Sequence, residues 1–134
     1  DTVVMTALAL AILGWLVWHK AYRAAWAAGI AIVAAKLFEI AVKYGIQRAR
    51  PMELPYSGFS AFSFPSGHAT MAAVIFGILA VLVSHAMGRW GRAVVYATCA
   101  VLVVAIAYSR IYLGAHWLSD VVAGWCVGAA WAMA

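Results

Sequence analysis

Residues 64–87 read FPSGHATMAAVIFGILAVLVSHAM. From Ala69 to Ser84 no ionisable side chain interrupts the run. A bilayer core about 30 Å thick needs roughly 20 apolar residues in one helix. Backbone groups in hydrocarbon must find their hydrogen bonds inside the segment. The stretch therefore predicts a membrane helix over Gly67–Met87. It opens on Pro-Ser-Gly-His, a polar turn at the mouth of an oily helix.

Four other runs share this character: about Thr2–Trp18, Ala24–Gly45, Ala93–Tyr112 and His116–Ala134. The expectation is an all-α, polytopic membrane bundle of five transmembrane helices. The short alternating segments of a β-barrel are missing from the sequence. Composition agrees. Of 134 residues, 68% are hydrophobic and 10% charged, against about 25% charged in soluble domains. Mean hydropathy is +0.98. The chain has no initiator Met and starts and stops within apolar runs. It reads as a single membrane-embedded domain, 1–134, cut from a longer protein, with room for a fused domain upstream.

The net charge of +5 would suggest nucleic acid in a soluble protein. Here the basic residues fall in loops and at helix ends, so topology or an anionic substrate explains them, and no nucleic-acid partner is expected. The short connections His19–Arg23 and Gly88–Arg92 carry Lys20, Arg23, Arg89 and Arg92 without an acid. The positive-inside rule makes theirs the cytoplasmic face. The long loop Ile46–Phe64 and the junction at Gly114, a candidate helix cap, then face the periplasm of a bacterial inner membrane. Trp15, Trp18, Trp26, Trp90 and Trp131 lie toward one interface, and Tyr44, Tyr56, Tyr108, Tyr112 and Trp117 toward the other. Cys99 and Cys126 sit in apolar runs without metal-site spacing and read as packing residues.

Charged groups at membrane helices are functional candidates, because burial is costly unless they are paired. Lys43 ends the second run, and Arg50-Pro51 follows. Ser66-Gly67-His68 opens the third, Ser109-Arg110 closes the fourth, and His116 and Asp120 open the fifth. Alternating spans bring all of them to one side. A helix N-terminus offers free N–H groups and a partial positive charge. Gly67 lets an anion approach the backbone, and Pro65 sets the angle at which the chain enters the helix. With the Ser66 hydroxyl, Lys43, Arg50 and Arg110, this is a site for a phosphoryl group. His116 and Asp120, four apart, share a helix face. A carboxylate on one imidazole nitrogen leaves the other free to attack or to accept a proton. His68 can protonate a leaving alkoxide.

Lys43-x6-Arg50-Pro51, Pro65-Ser66-Gly67-His68 and Ser109-Arg110-x5-His116-x3-Asp120 together resemble the three-part signature of the phosphatidic acid phosphatase type 2 superfamily. The resemblance implies a lipid phosphatase in which His116 forms a phosphohistidine, Asp120 orients it, and His68 serves as acid and then base. Lys43, Arg50, Ser66, Gly67 and Arg110 would hold the phosphoryl oxygens. It implies no metal and no other cofactor, since the cations take the place of Mg²⁺. Membrane members typically have six core helices, so the first of that set is missing from this count of five.

Other residues keep two readings. Lys36, Glu39 and Lys43 lie on one helical stripe; Glu39 either forms a buried ion pair or positions the Lys43 ammonium. Arg48 either touches a second phosphate or headgroup or is solvated. Phe59, Phe62 and Phe64 either line an opening for lipid or pack in the core. Met71 and Phe76 read as packing, and His19 and His85 as structural residues of the cytoplasmic side. The partners expected are the bilayer and a membrane lipid substrate: undecaprenyl pyrophosphate, phosphatidic acid or phosphatidylglycerol phosphate. A lipid phosphotransferase using the same phosphohistidine is the nearest alternative. An anion or lipid transporter is the alternative of another class.

Overall fold

The structure, a computed structural model, describes residues 2–53 and 55–133. It contains five α-helices: α1 (Thr2–Trp18), α2 (Tyr22–Ile46), α3 (Gly67–Ser84), α4 (Arg89–Tyr112) and α5 (Leu118–Met133). A single 3₁₀ turn, Gly58–Ala61, interrupts the long loop. Helices α2, α3 and α4 are long and apolar enough to cross a membrane; α1 and α5 are shorter apolar helices.

The most buried helix is α3, and it touches the other four. Its buried residues Ala69, Thr70, Ala72, Val74 and Ile75 fall all round the helix. Along α5 the buried positions are Asp120, Val121, Gly124 and Gly128, a stripe of helical period. Gly124 and Gly128 let the two backbones meet, as small residues do between membrane helices. A methyl group at Gly124 would lie 2.8 Å from the Ser66 carbonyl oxygen. From α1, Met5, Ala9, Ile12 and Leu16 form one stripe that packs with Ala28 of α2 and Ala72 and Ile75 of α3.

 The carboxylate and ammonium of the stripe Ala28, Ala35, Glu39, Lys43 on α2 also turn inward.

Helix ends differ from the apolar runs by several residues. Hydropathy marks where the chain is oily, whereas a helix continues as long as its hydrogen bonds do. Helix α4 begins at Arg89, so Arg89 and Arg92 sit in its first turn and not in a loop; Arg23 likewise lies inside α2. Helix α5 begins at Leu118, which leaves His116 in the turn before it. The α4 terminus follows glycine-cap geometry: Gly114 has φ 64°, and the Ala115 N–H donates to the Arg110 carbonyl at 3.0 Å.

Candidate active site

The starts of α1 and α3, the ends of α2 and α4, the turn between α4 and α5, and the long loop surround one cavity of about 330 Å³. Lys43, Arg50, Gly67, His68, Arg110 and His116 all line it. Ser66, Arg48 and Asp120 lie behind its wall.

His116 is buried. Its Nδ1 lies 2.8 Å from the Ser63 carbonyl oxygen and 3.6 Å from Asp120 Oδ2. A carbonyl can only accept, so Nδ1 carries the proton and Nε2 bears the lone pair. Arg50 Nη1 sits 3.3 Å from that Nε2. Asp120 thus lies beside His116, as their spacing of four led one to expect, but it is not the nearer partner of Nδ1. The histidine precedes the helix, and a main-chain carbonyl is its nearer partner. Burial, then the charges of Arg50 and Lys43, push the imidazole pKa down to about 3. The ring is neutral at physiological pH.

Asp120 is fully buried and organises the turn. Its Oδ1 accepts from Arg48 Nη1 at 2.9 Å, and its Oδ2 from the Trp117 N–H at 2.9 Å. Its own carbonyl accepts the Ser66 N–H at 2.9 Å, joining the start of α5 to the start of α3.

Arg50 spans the loop. Nε donates to the Ser60 carbonyl at 3.1 Å, Nη1 to the Ala115 carbonyl at 2.6 Å, and Nη2 to the carbonyls of Ser60 and Phe62. Its guanidinium carbon is 4.3 Å from the centroid of Tyr56. Lys43 Nζ donates to the Phe62 carbonyl at 2.8 Å. Arg110 Nε donates to Ser109 Oγ at 3.1 Å.

At the start of α3 the Ser66 hydroxyl oxygen accepts the Ala69 N–H at 3.4 Å, a helix cap. The space that a Cβ at Gly67 would need is filled by the Glu39 carboxylate. An anion does approach this backbone, and it belongs to the protein. Glu39 Oε2 pairs with Lys36 at 2.9 Å, and Oε1 lies 3.8 Å from Lys43. Lys36 and Glu39 both line the cavity, as do Phe59 and Met71. Phe62 instead packs edge-on against Tyr44.

The site's main-chain acceptors (Ser60, Phe62, Ser63 and Ala115) were not legible in the sequence, because a carbonyl has no residue identity. The one signal was position: Ser63 lies just before the Pro-Ser-Gly-His turn.

The profile of the PAP2 superfamily matches residues 24–134. Phosphatidylglycerophosphatase B of Bacillus subtilis is 37% identical over 95 residues, 69% of this chain and 47% of that protein. The undecaprenyl-diphosphatase of Sulfolobus acidocaldarius is 30% identical over 103 residues, 72% of this chain and 46% of that protein. A lipid A 1-phosphatase of Rhizobium johnstonii is 37% identical over 98 residues, 66% of this chain and 36% of that protein. The chain thus spans half or less of these curated relatives. The crystal structure of a transmembrane PAP2-type phosphatidylglycerolphosphate phosphatase from Bacillus subtilis superposes with TM-score 0.78 and 26% identity, covering 97% of this chain and 72% of the other.

Proposed function

The chain belongs to the PAP2 superfamily and is an integral membrane protein like its transmembrane relative; from this premise we propose that it hydrolyses a lipid phosphate through a phosphohistidine. The observation that carries the reading is the ring of Lys43, Arg50 and Arg110 around a cavity that also exposes His68 and His116.

In this reading a phosphoryl group enters the cavity and its oxygens meet the three cations and the start of α3. His116 Nε2 attacks phosphorus, and the bond from phosphorus to the lipid oxygen breaks. His68 gives its proton to that oxygen. It then takes a proton from water, whose oxygen attacks phosphorus and releases the Nε2–P bond. Asp120, 3.6 Å from Nδ1, faces the positive charge that the phosphorylated ring carries. The cations offset phosphoryl charge as a metal ion would elsewhere.

The substrate class is a membrane lipid bearing a phosphomonoester or diphosphate: phosphatidylglycerol phosphate, undecaprenyl pyrophosphate or phosphatidic acid. The tail can remain in the bilayer, which avoids an extraction cost of about 0.8 kcal/mol per CH₂. All five helices span in this reading, and the cavity opens on the periplasmic side of a bacterial inner membrane.

The test is phosphate release from a panel of lipid phosphates in detergent with EDTA present. Release is expected, and His116→Ala should abolish it. No release from any lipid, or EDTA sensitivity reversed by added metal, would overturn the reading. Single cysteines at Ser57 and Gly91 test orientation: Ser57→Cys should label from outside, and preferential labelling of Gly91→Cys would reverse it.

A further inference from the structure

Arg48 holds both groups that compete for the His116 Nδ1 proton. Through its main chain it holds Ser63, whose N–H donates to the Arg48 carbonyl at 2.8 Å. Through its side chain it holds Asp120 at 2.9 Å, and the same Nη1 donates to Ser119 Oγ at 2.7 Å. The guanidinium carbon lies 5.5 Å from the Trp117 ring centroid. The residue does not line the cavity, so it reaches the reaction only through others.

A free carboxylate is a stronger acceptor for an imidazole N–H than a neutral carbonyl, because charge-assisted hydrogen bonds are roughly twice as strong. Asp120 is nevertheless 3.6 Å from Nδ1, outside hydrogen-bond distance. Its Oδ1 is committed to Arg48 and its Oδ2 to the Trp117 N–H. The arrangement is explained if the guanidinium both neutralises the carboxylate and holds it back.

We propose that Arg48 is a positioning residue: it keeps Asp120 off the resting His116, leaving the imidazole on the Ser63 carbonyl. The inference rests on the reading of His116 as the nucleophile. Resting on a neutral acceptor, the ring stays neutral. Asp120 remains close enough to offset the charge that appears once Nε2 has bonded phosphorus.

The charged and titratable groups around His116 are Arg50 of the loop, Lys43 and the Lys36–Glu39 pair of α2, His68 of α3, Arg110 of α4 and Asp120 itself. Removing Arg48 takes away a cation and releases a carboxylate, and both changes favour the imidazolium.

The test is a ¹⁵N-histidine NMR titration in detergent of wild type, Arg48→Gln, Asp120→Asn and the double variant. Arg48→Gln should raise the pH at which His116 protonates by about one unit. In the Asp120→Asn background the same change should move it far less. Arg48→Lys, which keeps the charge but not the fork, should fall between. An unmoved His116, or an equal shift in both backgrounds, overturns the proposal.

Kinetics give a second readout. In Arg48→Gln, kcat should fall about tenfold or more with KM little changed. A higher KM at unchanged kcat would make Arg48 a substrate contact and overturn the proposal. The titration needs no turnover. A wild type inert toward every lipid phosphate would therefore sink the hydrolase reading alone.

Discussion

The imidazole Nδ1 of His116 lies 2.8 Å from the carbonyl oxygen of Ser63, a residue 53 positions earlier in the chain. The ring is therefore set by the path of the loop before α3 as much as by the turn before α5. Whatever fixes that loop fixes the proposed nucleophile.

Arg50 is the first such element. Its fork reaches carbonyls of Ser60, Phe62 and Ala115 at once. A lysine ammonium has the charge but not the planar geometry. Arg50→Lys should lower kcat/KM about hundredfold and also lower the thermal midpoint in detergent. Phosphate release and a melting curve on the same preparation check this; near-wild-type values for both would show that charge alone suffices.

Glu39 and Gly67 form a volume-matched pair. A side chain at residue 67 would collide with the Glu39 carboxylate. Gly67→Ala should lose both stability and activity, and Glu39→Asp, shorter by one methylene, should restore part of each in the double variant. A double-mutant cycle measures the coupling. Additive losses would mean that the carboxylate moves aside freely.

The crossing of α3 and α5 depends on Gly128, where an added Cβ would meet the Thr70 carbonyl oxygen. Gly128→Leu should destabilise by about 1–3 kcal/mol, as overpacking does, and reduce kcat by separating the start of α3, which carries His68, from the turn before α5, which carries His116. Thermal unfolding with single-turnover phosphate release tests it. Unchanged unfolding would place the contact outside the core.

His116 links stability to pH. Its pKa is about 3 in the fold and near 6.5 when unfolded. Between these values the unfolded chain binds a proton that the folded chain refuses, so its contribution to stability falls as pH drops from about 6.5 toward 3 and is level above that window. His116→Gln should flatten this part of the stability curve relative to wild type. Parallel curves for the two proteins would contradict the assignment.

Much of this was legible in the residues themselves. Lys43, His68, Arg110 and His116 end or begin apolar runs, Arg50 lies in the loop between two of them, and alternating helices had to deliver all five to one end. The five helices followed from the same runs, with bounds shifted because apolarity and hydrogen bonding stop at different residues, as at Arg89 and Leu118. Arg48 could not be placed, since its partner Asp120 is 72 residues away. The Pro-Ser-Gly-His turn marked a helix start, but that the Ser66 oxygen accepts the Ala69 N–H needed the structure. The Glu39 carboxylate at Gly67 depended on how closely α2 approaches α3, which no spacing within one helix reveals.

The hydrogen bond from the Ser66 N–H to the Asp120 carbonyl, with the glycines of α5 seated on α3, joins the start of α3, which carries His68, to the first turn of α5, which follows His116. The cations are mounted differently: Lys43 on α2, Arg50 on the loop, Arg110 at the end of α4. Arg50 nevertheless ties the two groups together, since it donates to the Ala115 carbonyl and lies 3.3 Å from His116 Nε2. Under the proposed mechanism, a substitution at Arg50 that altered substrate reception would also shift the reacting imidazole, whereas one at Arg110 has no such contact to disturb.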